Sequence, residues 1–219
     1  MPSTGREQIV RAIEAGGVVA VIRLKEPEKL RAVVDALVEG GVRALEVTMT
    51  VPGAIALIAQ LAPTLPDGFL LGAGTVVDRD TARRAINAGA RFVVGPVFRP
   101  DVIAACHELD VPAMPGCFSP TEILTAWEAG ADVVKVFPAT ALGPGYFKDI
   151  RGPLPHVKLM PTGGVTVENA GDWIRAGAVA VGAGTALLDT QAIASGRYEV
   201  IAEKARRIVA NVRAAREGR

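Results

Sequence analysis

Short apolar, β-branched runs recur along the chain, at residues 18–23, 44–50, 70–76, 91–96, 112–117, 133–138, 158–163 and 178–184. Each is followed by a polar turn, an amphipathic stretch and a glycine or proline break. The run starts recur at roughly 20–26 residues, the scale of one βα unit. Between them the period changes. Residues 27–39 put Leu30, Val33, Val34, Leu37 and Val38 on one helical face. Residues 78–88 open with an acid. Ser119-Pro120-Thr121-Glu122 has the form of an N-cap Ser, N1 Pro and N3 Glu. Residues 166–176 form a further predicted helix, and the Gly- and Pro-rich stretch 141–155 carries only a short one near 146–150. A helix over residues 4–15 precedes the first strand, and the basic, Ala-rich end 204–219 reads as a solvated last helix. Gly40-Gly41, Ala88-Gly89, Ala129-Gly130 and Ala176-Gly177 place a glycine where each helix ends.

Eight strands alternating with helices predict an α/β fold, a single (β/α)8 TIM barrel with an extra N-terminal helix covering its bottom, in one domain over residues 1–219. A doubly wound open sheet would carry a Gly-rich loop after its first strand. Here that loop reads Leu24-Lys25-Glu26-Pro27.

Half of the 219 residues are hydrophobic and 5% are aromatic, so Val, Ala, Leu and Ile fill the core. With 24 basic and 23 acidic residues the net charge is +1, and no block of like charge points to nucleic acid or a membrane surface. Cys106 and Cys117 make neither a disulfide framework nor a metal site. The N-terminus holds no signal-type apolar segment and no apolar run is long enough to span a bilayer. A cytoplasmic protein is the expectation.

In such barrels the chemistry sits at the C-terminal ends of the strands. Polar residues occur there: Arg23, Glu46, Thr48, Thr50, Thr75, Lys135, Thr162 and Thr185. Lys135, in Val133-Val134-Lys135-Val136-Phe137-Pro138, has no charged neighbour in sequence. Facing inward it would be desolvated, which favours the neutral amine that attacks a ketone. Facing outward it would be a snorkelling strand lysine. Glu46, Thr48 and Thr50 share one face of their strand, and a carboxylate beside an imine-forming lysine can move protons. A structural ion pair is the alternative for Glu46. Pro161-Thr162-Gly163-Gly164 and Gly182-Ala183-Gly184-Thr185 end the seventh and eighth strands, where barrels bind phosphate through backbone N–H groups.

From Val19-Ala20-Val21-Ile22-Arg23 to Gly182-Ala183-Gly184-Thr185 the chain resembles the 2-keto-3-deoxy-6-phosphogluconate / 4-hydroxy-2-oxoglutarate aldolases. The resemblance is carried by Gly40-Gly41-Val42, Leu45-Glu46-Val47-Thr48, Gly72-Ala73-Gly74-Thr75-Val76, Met114-Pro115-Gly116, Lys135-Val136-Phe137-Pro138-Ala139 and Pro161-Thr162-Gly163-Gly164. It implies a class I aldolase with Lys135 as Schiff-base lysine and Glu46 as general acid/base. Thr75, Pro96, Phe137 and Thr162 would line the substrate pocket, and Gly163, Gly164, Gly184 and Thr185 would hold the phosphate. It also implies a homotrimer with no cofactor and no metal. Some members carry an arginine four residues after the glutamate to hold the substrate carboxylate. This chain has Thr50 there, and Arg23, ending the neighbouring strand, is expected to replace it. The stereochemistry at C4 stays open between gluconate- and galactonate-derived substrates. The rival readings are a phosphate-binding barrel enzyme that uses Lys135 only as a charge, and a non-catalytic phosphosugar-binding barrel.

Overall fold

The structure, a computed structural model, describes residues 5–218. Nine short strands run in chain order: β1 (Val18–Ile22), β2 (Ala44–Thr48), β3 (Leu70–Gly74), β4 (Val93–Val94), β5 (Ala113–Met114), β6 (Gly116–Cys117), β7 (Val134–Val136), β8 (Leu159–Pro161) and β9 (Val181–Ala183). Every pairing between them is parallel. Six form one sheet in the order β5-β4-β3-β2-β1-β9, and β6-β7-β8 form another. The sheets meet twice. β5 runs into β6 through Pro115, and a parallel bridge joins Thr162, just past β8, to Gly182 in β9. The fold is therefore α/β with parallel strands throughout, as the alternating pattern predicts.

The run predicted at 112–117 is split because Pro115 has no N–H to give its neighbour. Its carbonyl still accepts from the Lys135 N–H at 2.9 Å, so the pairing resumes at Gly116. The run predicted at 91–96 is a strand at Val93–Val94, with Arg91 and Gly95 still donating backbone hydrogen bonds to Leu71 and Met114 (2.7 and 3.0 Å).

Ten α-helices lie among the described residues, α1 before β1, α9 and α10 after β9 and the rest between strands. In order they are α1 (Gly5–Gly16), α2 (Leu30–Glu39), α3 (Ala54–Leu61), α4 (Arg79–Asn87), α5 (Pro100–Glu108), α6 (Pro120–Glu128), α7 (Gly143–Arg151), α8 (Ala170–Arg175), α9 (Thr190–Ala194) and α10 (Glu199–Glu217). The capping box of α6 is present, with Ser119 accepting from the Glu122 N–H and the Glu122 carboxylate accepting from the Ser119 N–H. Gly41, Gly89, Gly130 and Gly177 all have positive φ, between 84° and 108°, which is the left-handed turn that the glycine pattern predicts at the helix ends. Two helices differ from expectation. α8 starts at Ala170 rather than 166, because Thr166 and Asn169 bond each other's backbone N–H through their side chains (2.7 and 3.1 Å) and close a turn first. α7 is longer than its Gly/Pro content suggests, since Pro144 sits in the first turn, where no intrahelical N–H is needed. Of the helix predicted at 4–15, Thr4 lies outside the described residues.

The two faces of the strands bury different cores. Ala20, Ile22, Leu45, Val47, Val134, Val136 and Leu159 pack beneath the helices that connect the strands. On the other face Val19, Ala44, Phe92, Met114, Val133 and Met160 form a second apolar cluster with Ile9, Val10 and Ile13 of α1. The second cluster fills the N-terminal ends of the strands, so the polar residues nearer their C-terminal ends rest on an apolar floor.

Candidate active site

Alternation places the site. On β2, Leu45 and Val47 enter the helix-covered core, while Ala44 joins the second cluster. Glu46 and Thr48 lie on the Ala44 side and are 0% exposed. On β7, Val134 and Val136 take the helix side and Val133 the other, so Lys135 lies on the face of Val133 and is 2% exposed. The snorkelling alternative is thereby removed. Its Nζ stands 4.9 Å from the centre of the Phe137 ring.

Burial acts on both groups. It pushes the Glu46 carboxyl above its usual range, against the pull of the Lys135 and Arg23 charges. It pushes the Lys135 amine below its usual range; the Glu46 charge opposes that shift and the Arg23 charge adds to it. The three groups thus feel one another. Both Glu46 carboxyl oxygens nevertheless lack a hydrogen-bond partner, and among the described residues no ion pair joins Glu46 to Lys135. The structural ion pair considered for Glu46 is absent. A buried carboxyl without a partner is costly, and it stays available to something placed beside it.

Missing side chains make room. A Cβ on Gly74 would overlap the Glu46 carboxylate, and one on Gly182 would overlap the Thr162 hydroxyl. Thr162 is itself buried, and its hydroxyl has no partner.

Above these groups opens a cavity of about 620 Å³. Arg23, Thr50, Phe137, Thr162, Gly163, Gly164, Gly184 and Thr185 all line it, so eight of the expected site residues come together. Lys135 and Glu46 are buried and not on its wall; Phe137, two residues on from Lys135, and Val21, the register partner of Glu46, are. Thr75 and Pro96 do not line it either. Thr75 is half-buried just past β3 with φ 59°, a rare value for a non-glycine residue. Pro96 lies with its carbonyl against Gly116, the register partner of Lys135.

A short hydroxyl chain fixes what Thr50 offers. Thr48 donates its only hydroxyl proton to the Ile22 carbonyl (2.9 Å). The 2.7 Å contact between Thr48 and Thr50 therefore has Thr50 as donor. Thr50 presents lone pairs to the cavity and cannot donate to a carboxylate. Arg23, by contrast, is exposed on the cavity wall and has no hydrogen-bond or ion-pair partner among the described residues.

The cavity also recruits side chains that the strand ends did not flag: Lys25, Thr190 and an apolar group of Leu24, Val165, Leu188 and Ile193. Lys25 could have been found by carrying the Val21–Arg23 alternation one step past the strand. Thr190 and Ile193 belong to the five-residue α9, too short to leave a periodic trace. Among the described residues no three His, Cys, Asp or Glu side chains gather where a metal ion could sit.

Residues 9–204 match the sequence pattern of the family described as KDPG and KHG aldolase. The chain belongs to that family. Its members are aldehyde-lyases, and so is this enzyme. It is 37% identical over 194 residues to the 2-dehydro-3-deoxy-phosphogluconate aldolase of Treponema pallidum, covering 88% of this chain and 92% of that one. It is 34% identical to the 2-dehydro-3-deoxy-6-phosphogalactonate aldolase of Escherichia coli, covering 77% and 83% of the two chains. Among solved structures it superposes with a TM-score of 0.82 on the KDPG aldolase of Legionella pneumophila, in which pyruvate was captured as a covalent carbinolamine. That match has 33% identity and covers 90% of this chain and 96% of that one. Such aldolase relatives turn the buried lysine and carboxyl into candidates for one reaction, while naming both sugar series.

Proposed function

We propose that this aldolase cleaves 2-keto-3-deoxy-6-phosphogluconate to pyruvate and glyceraldehyde 3-phosphate through a Schiff base on Lys135. The observation that carries the reading is the burial of Lys135 next to a buried, unpartnered Glu46 beneath a cavity. A desolvated amine is neutral at lower pH than a surface lysine and can attack the C2 ketone. Loss of water from the carbinolamine gives an iminium, which draws electrons from the C3–C4 bond. Glu46 takes the C4 hydroxyl proton as that bond breaks, and the aldehyde leaves. The remaining enamine is protonated at C3, and hydrolysis of the imine returns pyruvate and the free amine. Phe137, Thr162, Thr75 and Pro96 line or border the substrate. Gly163, Gly164, Gly184 and Thr185 hold the phosphate through backbone N–H groups and a hydroxyl. The carbinolamine in the Legionella relative supports this covalent route.

The same reading covers the activity on 4-hydroxy-2-oxoglutarate, yielding pyruvate and glyoxylate, and the finer architecture. The two junctions of the sheets support closure into a (β/α)8 barrel whose bottom α1 covers. Exposed Val77, Val97 and Phe118, on loops after β3, β4 and β6, support a self-association surface for a homotrimer. No helix among the described residues is long and apolar enough to cross a membrane. The cytoplasm, where the free thiols of Cys106 and Cys117 stay reduced, is the proposed setting.

Incubation with pyruvate and borohydride, followed by peptide mass analysis, tests the chemistry. A reduced pyruvyl adduct on the Lys135 peptide is expected. No adduct at saturating pyruvate would leave a non-covalent barrel enzyme or a binding protein. Arg23 takes the carboxylate, since Thr50 has no proton to give. Arg23→Met should raise KM for the keto acid by roughly 10- to 100-fold, the scale of a charged hydrogen bond. An unaltered KM would return the carboxylate to other groups.

A further inference from the structure

The reading above leaves the phosphate with neutral partners only, although it carries about two negative charges. Gly163, Gly164, Gly184, Thr185 and Thr190, which line the cavity, carry no charge. The cationic side chains on the cavity wall are Arg23 and Lys25. They sit close together: the segment from Arg23 to Glu26, just past β1, lines the cavity continuously, and Arg23 and Lys25 are its two cations. At about 3.3 Å per residue in extended chain, the Lys25 backbone lies about 7 Å from that of Arg23. The substrate has the matching form, a carboxylate at C1 and a phosphate at C6 of one chain.

The neighbouring carboxylates are engaged elsewhere. Glu26, also on the wall, pairs with Lys29 at 2.8 Å. Asp189 pairs with Lys204 at 2.9 Å and caps α9. Among the described residues Lys25 has no ion-pair partner. Four residues on, the Lys29 ammonium donates to the Ala194 carbonyl at the end of α9 (3.5 Å), which ties the loop after β1 to α9.

We propose that Lys25 is the cation for the substrate phosphate, so that Arg23 and Lys25 together gauge the distance between the two anionic ends of a phosphorylated keto acid. This rests on the aldolase reading of the cavity. The ammonium acts as a mobile point charge over the backbone N–H groups of the glycine turns. A substrate with its second anion closer in, such as the dicarboxylate 4-hydroxy-2-oxoglutarate, gains less from it. The device therefore favours phosphorylated over dicarboxylic substrates.

The test compares Lys25→Met and Lys25→Arg with the parent. For Lys25→Met, KM for the phosphorylated substrate is expected to rise about five- to tenfold, a charge-assisted contact discounted for an exposed side chain. KM for 4-hydroxy-2-oxoglutarate should rise far less, and Lys25→Arg should restore the ratio of the two. Inorganic phosphate, used as competitor and as ligand in thermal unfolding, should protect the parent and the Arg variant more than the Met variant. A ratio of KM values unchanged in Lys25→Met, or equal phosphate protection in all three proteins, would overturn the proposal. The phosphate arm needs no turnover. Failure of borohydride trapping with retained Lys25-dependent phosphate binding would thus strike the aldolase chemistry and leave the cation site standing.

Discussion

Lys135→Met should abolish turnover, with kcat/KM falling on the order of 10⁴-fold or more, the scale on which loss of a covalent nucleophile acts. Met matches the length and apolar character of the lysine stem and is at home in an irregular core, so the variant should fold. Lys135→Arg should be equally inactive although it keeps the charge, because a guanidinium does not become a neutral nucleophile in a protein. That pair of variants separates covalent from electrostatic use of the position. If Lys135→Arg kept a substantial share of activity, the lysine would serve as a charge and the Schiff-base scheme would be abandoned. Stability gives a second readout. Burial lowers the folded-state pKa of Lys135 below its ordinary value of 10.5. Between the lowered value and 10.5 the unfolded chain binds the extra proton, so stability due to this group rises with pH in that window and is smaller below it. Lys135→Met removes the window. Its Tm near neutral pH is expected to equal or exceed that of the parent, as when a functional residue is held against its own solvation.

The strands were legible because their period is simple. Leu45, Glu46, Val47 and Thr48 alternate strictly, and the faces assigned from that alternation are those the structure displays. Glycine breaks such as Gly89 and Gly177 were legible because few other residues take their positive φ. Local competition hid the rest. Pro115 looks like any strand residue until the missing N–H splits the ladder. Thr166 and Asn169 read as helix start, whereas their side chains first satisfy each other's backbone. At the site, Lys135 and Glu46 stood out as charges in apolar runs. Lys25 did not, since a lysine in a polar loop resembles ordinary surface until the wall opposite it is known. Nor could sequence show that Thr48 spends its proton on Ile22, a fact of geometry that alters what Thr50 can bind.

Glu46→Gln and Arg23→Met should move the pH dependence of imine formation in opposite directions. In the proposed scheme attack requires neutral Lys135, so the trapping rate with pyruvate should rise with pH through the lowered lysine pKa. The Glu46 charge holds that pKa up, and the Arg23 charge holds it down. Glutamine removes the first influence, so the rising limb shifts to lower pH. Methionine at 23 removes the second, so the limb shifts to higher pH. Glutamine also removes the proposed proton acceptor for the C4 hydroxyl. Cleavage should then fall by about 10²- to 10⁴-fold while some imine still forms, because the amine remains. The two effects come apart in one experiment: single-turnover trapping follows the lysine, and steady-state cleavage follows the carboxyl. Gly74, whose missing side chain leaves space for the Glu46 carboxylate, keeps that carboxylate in place. Full cleavage activity in Glu46→Gln would remove Glu46 from proton transfer. Limbs shifted in the same direction would mean that the Arg23 and Glu46 charges do not act on Lys135 with their opposite signs.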